Sequence, residues 1–210
     1  MEQNTFLNAY FEQETEIERI AQSAAELHRS VAQTYGGYLP YEFHLRLTTA
    51  HVTRFGHLAG IAPDELQTVY AAAYFHDSLE DARLSYNDLK RRLEGLNAQG
   101  CSIHVEEAAE AVYALTNEKG RTREERANAH YYAGIRETRF APFLKMCDRL
   151  ANLRASTLYG IRQRMADVYQ REMPHFLESI GPVPEAMKQA ARGYLDDSLP
   201  RPDRQSDRLK

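Results

Sequence analysis

The sequence predicts an all-α fold, a single compact multi-helix domain, and three observations carry that prediction. Apolar residues recur at three- and four-residue steps through most of the chain. Glycine and proline fall between those periodic segments, where they act as breakers. No series of strand-like alternations, internal repeat or low-complexity tract interrupts the pattern. With 210 residues the chain is long enough to bury one core without disulfides or structural zinc. The predicted domain covers 1–196, and residues 197–210, polar and proline-interrupted, read as a tail.

Each element has its own signal. Over 14–34, Ile17, Ile20, Ala21, Ala24, Leu27, His28 and Val31 mark one face of a helix. Gly36, Gly37 and Pro40 then force a loop. A second helix is expected from about Tyr41 to Leu58, ending at Gly60. Pro63-Asp64-Glu65 has the form of a helix start, with acids suiting the positive end of the helix dipole. It leads into the apolar run Val69–Phe75, followed at once by His76-Asp77. Ser85 with Asp88 reads as a capping box opening a short helix through Leu93, and a loop is expected around Gly95–Gly100. Residues 103–115 are again amphipathic, Thr116–Arg126 reads as a loop turning into helix, and Pro142 opens the helical segment Phe143–Ala155. Two more helices are expected at about 160–179 and 183–196.

Composition excludes several classes. The chain is 43% hydrophobic and 27% charged with a net charge of −4, so nothing in the overall balance calls for nucleic acid. There is no signal peptide pattern and no run of 18 apolar residues, so a cytoplasmic protein without membrane association is expected. Cys101 and Cys147 are the only cysteines and lie far apart, which fits reduced thiols better than a disulfide framework. The oligomeric state is not legible.

The chemistry concentrates in Phe75-His76-Asp77-Ser78-Leu79-Glu80-Asp81. On a helix, Asp77 precedes Glu80 and Asp81 by three and four residues, and His76 stacks over Glu80. Burying three carboxylates and an imidazole together is unfavourable without a cation, and a divalent metal removes the conflict. A second segment, Lys145 to Arg154, puts Asp148 inside an apolar-rich helix with Asn152 one turn later, and a buried Asp needs a partner. A salt bridge from Asp148 to an arginine of its own helix is the plainer alternative. A third piece is a histidine of the second helix. His44 is the candidate, His51 seven residues on is its rival, His57 is a weaker choice, and His28 reads as an ordinary core or surface histidine.

In order and spacing, Pro40-Tyr41-x-x-His44, His76-Asp77-x-x-Glu80-Asp81 and Lys145-x-x-Asp148-Arg149-Leu150-x-Asn152-Leu153-Arg154 resemble the HD superfamily of metal-dependent phosphohydrolases. More narrowly they resemble the hydrolase domain of RelA/SpoT-type alarmone enzymes and the related small hydrolases, over roughly residues 20–175. The resemblance implies an HD-domain helical bundle and a Mn²⁺-type ion, or another divalent transition metal, on His44, His76, Asp77 and Asp148. It implies Glu80 and Asp81 as the pair that positions and deprotonates water, with Asn152 and Lys145 toward the substrate. The implied reaction removes the 3′-diphosphate from (p)ppGpp-type alarmones, giving pyrophosphate and GDP or GTP. One departure stands out: the loop Gln33–Leu39 lacks the Arg-Lys pair that contacts the purine in that family. Tyr35 or Tyr38 can stack on a base in its place. A basic residue after Leu115-Thr116 is offered by Lys119, Arg121 or Arg123, of which Arg123 is the chosen phosphate contact. Alternative readings are an HD hydrolase of another nucleotide or cofactor, such as a dNMP or NADPH, and a non-catalytic nucleotide-binding module.

Overall fold

A computed structural model describes residues 2–196, and the expected tail at 197–210 lies outside them. The described chain is an all-α bundle, as the periodicity predicts. It opens with α1 (Gln3–Glu12), a helix with no counterpart in the sequence reading, and α2 (Glu14–Ser30). α1 is held mainly by Phe6 and Ala9. The Phe6 ring presses on Gly56, where any Cβ would collide with it.

On α2 the expected face, Ile17, Ile20, Ala21, Ala24, Leu27 and His28, is buried, but the helix stops at Ser30 and Val31 is exposed. The expected loop contains a minimal antiparallel hairpin, β1 (Thr34–Tyr35) with β2 (Leu39–Pro40), pairing Tyr35 with Leu39. Gly36 and Gly37 both adopt left-handed backbone conformations, φ 66° and 89°, which glycine reaches without steric cost.

The site is carried by α3 (Glu42–Phe55), α4 (Leu66–Phe75) and α9 (Ala141–Thr157). α3 packs on both α4 and α9, and α4 also packs on α2. Every residue of α4 is buried, which explains an apolar run with no polar face. Between these lie α5 (Tyr86–Ala98) and α6 (Val105–Leu115). The Ser85 box forms as expected: Ser85 Oγ accepts from the Asp88 amide at 3.1 Å and Asp88 accepts from the Ser85 amide at 3.3 Å. α5 runs five residues beyond Leu93, through Gly95, so the expected loop begins only at Gln99. The stretch after Thr116 yields a single turn, α7 (Arg123–Arg126), and then α8 (Ala129–Glu137), which was not foreseen. Finally α10 (Arg164–Ser179) and α11 (Glu185–Asp196) flank α9. Both cysteines are buried free thiols. Among the described residues no helix is long and apolar enough to cross a membrane.

Candidate metal centre

α4 ends at Phe75, so His76 is its C-terminal boundary and Asp77 to Asp81 form turns, not the continuing helix the spacing suggests. One helical link survives, the Asp81 amide donating to the Asp77 carbonyl at 2.8 Å. Ending the helix here turns His76 back into the bundle. His76 Nδ1 bonds to the Ala73 carbonyl at 2.8 Å, which puts the ring proton on Nδ1 and leaves the Nε2 lone pair free.

That nitrogen meets the carboxylate of the next residue and two donor atoms from further segments, Asp148 Oδ1 being 3.8 Å away. His44 Nε2 is 3.2 Å away, and Asp77 Oδ2 is 2.9 Å away. His44 Nε2 also lies 3.5 Å from Asp77 Oδ2 and 3.3 Å from Asp148 Oδ1. His44, His76 and Asp77 form a largely buried group that can hold a metal ion, all donor atoms within 4.8 Å of one another. Ligand bonds of about 2.0–2.2 Å place neighbouring ligand atoms about 3–3.5 Å apart, so the spacing seen suits one divalent transition ion. His44 Nδ1 is buried without a partner, which leaves that ring fixed by its Nε2 contacts and its stacking.

The electrostatics say the same thing. For both histidines burial favours the neutral ring, but the carboxylates outweigh it, carrying His44 up to about 9 and raising His76 as well. Asp77 and Asp148 are likewise disfavoured as anions by burial, yet both are held well below the usual range. His76 does this chiefly for Asp77 and Lys145 chiefly for Asp148. The cluster takes up positive charge, as protons if not as a metal ion.

A second layer fixes these groups. Tyr41 donates a short hydrogen bond to Asp77 Oδ2 and stacks on the buried His28 ring, 4.5 Å between centroids. Asn152 donates to Asp148 Oδ1 at 2.6 Å and accepts from Tyr35 Oη at 3.0 Å. Lys145 Nζ lies 3.2 Å from Asp148 Oδ2, so Asp148 pairs with that lysine rather than with an arginine of its own helix. Tyr35 stacks on His44 at 5.0 Å, and the Arg162 guanidinium lies 5.6 Å from the Tyr35 ring. That ring lines the cavity but is buried against His44, which leaves it little face for a base.

Glu80 and Asp81 both line the cavity beside the cluster. Asn117 Nδ2 holds Glu80 at 3.0 Å and Gln33 Nε2 holds Asp81 at 3.0 Å. Burial first, and the Asp77 charge second, raise the Asp81 carboxyl above its ordinary value. The cavity measures about 590 Å³, within the range of small-molecule sites. Arg123, Lys145 and Asn152 line it, whereas Tyr38 is 69% exposed and does not.

The rival histidine is elsewhere. His51 donates from Nδ1 to the Leu47 carbonyl at 2.7 Å, and its Nε2 meets Tyr194 Oη at 3.2 Å. Sequence reasoning passed over Tyr41, Gln33, Asn117, Arg149, Arg162 and Glu172. Tyr41 and Arg149 stand inside motifs already quoted. The others give no local signal, because their partners are distant in the chain. No protein-family model, curated protein or solved structure gives a match to this chain.

Proposed function

We propose that the protein is a metal-dependent nucleotide phosphohydrolase of the HD type. Its most specific assignment is removal of the 3′-diphosphate from (p)ppGpp-type alarmones, giving pyrophosphate and GDP or GTP. One observation carries the reading: His44, His76 and Asp77 converge within ion-binding distance, with Asp148 Oδ1 3.3 Å from His44 Nε2, at the edge of a cavity that Glu80 and Asp81 also line.

His44, His76, Asp77 and Asp148 would hold the ion, and Mn²⁺ is the first candidate for such mixed ligands. When bound, such an ion lowers the pKa of water and neutralises phosphoryl oxygens. The chain's own residues supply the remaining steps. Asp81, raised by burial and by its neighbour Asp77, has a stronger hold on a proton than an ordinary carboxylate and acts as the base toward water. Glu80, braced by Asn117, orients that water. Tyr41 keeps Asp77 turned toward the histidines, and Lys145 with Asn152 does the same for Asp148. Arg123 faces the same cavity and offers a phosphate contact.

The test is a phosphate and pyrophosphate release screen across nucleotides, run on Mn²⁺-reconstituted protein with and without a chelator. Pyrophosphate release from a 3′-diphosphorylated guanine nucleotide, abolished by the chelator, is the expected result. Absence of metal-dependent release from every nucleotide would overturn the hydrolase reading.

A further inference from the structure

Beyond the histidine cluster, the same cavity is lined by paired charges. Among its lining residues six carboxylates stand against six cations, Arg123, Arg126, Arg136, Lys145, Arg149 and Arg162. Two of them, from segments 26 residues apart, converge on one carboxylate. Arg123 grips Glu172 with both prongs of its fork, Nε to Oε1 at 2.8 Å and Nη2 to Oε2 at 3.0 Å. Arg149 Nη1 reaches the same Oε2 at 3.0 Å.

Arg149 is a costly residue to place there for structure alone. It is only 8% exposed and is clamped between rings, its guanidinium 4.7 Å from Tyr169 and 4.3 Å from Phe176. Stacked in this way the guanidinium plane is fixed before any ligand arrives. Two guanidiniums share the Glu172 carboxylate, and Glu124 is the other acid beside Arg123 in the lining. A forked guanidinium recognises carboxylate and phosphate with the same bidentate geometry.

We infer that Arg123 and Arg149 form an anion subsite for a diphosphate group of the ligand, and that Glu172 is the internal anion occupying it until that group arrives. The inference rests on the nucleotide-hydrolase reading only for the ligand's identity. An incoming diphosphate takes over the two guanidiniums, and Glu172, whose side chain is 31% exposed, turns toward solvent. Occupied subsites of this kind favour ligands bearing a phosphoryl group besides the one at the histidine cluster. They discriminate against simple monophosphates, which cannot repay the displacement of Glu172.

The full chain is titrated calorimetrically with inorganic pyrophosphate in a chelator, so that no ion at His44 and His76 contributes. E172Q is expected to bind about tenfold more tightly than the unaltered chain, and adding R123Q to it should remove the gain. Equal affinity in all three folded proteins would overturn the subsite. Should circular dichroism show E172Q unfolded, R123Q alone decides: about tenfold weaker binding upholds the subsite and unchanged binding overturns it. The two proposals fail separately. The mutant pattern without any nucleotide hydrolysis sinks only the enzyme reading, and hydrolysis without the pattern sinks only the subsite.

Discussion

His44 and His51 stand two turns apart on one helix, both almost wholly buried, and their surroundings push them in opposite directions. His44 rises to about 9 because two carboxylates outweigh its desolvation. His51 falls to about 4 because desolvation dominates, and its polar partners are a carbonyl and a phenol. Burial alone therefore does not make a histidine a ligand. What separates the two is a carboxylate pair from α4's end and from α9, brought to one and not the other.

The largest break in this comparison is metal binding. His44→Ala should abolish Mn²⁺ binding, lowering occupancy in elemental analysis to background, whereas His51→Ala should retain about one ion per chain. The reverse pattern would show that the convergence on His44 is not the metal site.

Next in size is turnover. Glu80→Gln and Asp81→Asn should keep the ion and the ligand affinity and lose about 10²–10⁴-fold in kcat, the usual effect of removing a positioned acid or base. If both amides turn over a substrate of the unaltered protein at full rate, the proposed proton transfer is wrong.

The smallest effect sharpens the contrast by pH. In the metal-free chain the folded state holds a proton on His44 that an unfolded histidine, near 6.5, gives up. That stabilisation is complete below about pH 6.5 and is lost as pH rises through about 9. For His51 the sign reverses: the fold keeps it neutral, so stability is lost as pH falls from 6.5 toward 4. Melting temperatures of the chelated protein should fall on both sides of neutrality, by on the order of 5 °C. His51→Gln should reduce the acid-side loss, leaving the part due to His28, which burial also carries down to about 4, and His44→Gln should reduce the alkaline loss, leaving the part due to His76. Saturating Mn²⁺ should also remove the alkaline loss, because the ion replaces the proton.

The parts of this arrangement differ in how far the sequence reveals them. α2 and α10 bury one face each, so their three- and four-residue apolar spacing is visible in any window. α4 is legible for the opposite reason, since a helix buried all round has no polar face to write. Metal candidates were legible because His76-Asp77 and Asp148 follow or interrupt apolar runs. α1 was hidden, because only Phe6 and Ala9 of its ten residues are buried and its key contact, Gly56, is 50 residues away. The helical reading of Asp77–Asp81 failed because a sequence window continues a helix until a breaker appears, and here the turn is imposed by packing. Glu172 was invisible for want of any local partner.

The complete burial of α4 also governs how the site comes apart. Backbone amides exchange with solvent only when their hydrogen bonds open, and a helix with no wet face offers no route for partial opening. His76 is tied to that helix through the Ala73 carbonyl, at 2.8 Å. Glu80 and Asp81 sit instead in turns held by side chains of Asn117 and Gln33, where opening is local and inexpensive. Hydrogen exchange is therefore expected to be slowest in α4, which carries His76 at its end, and faster in the turns that hold Glu80 and Asp81.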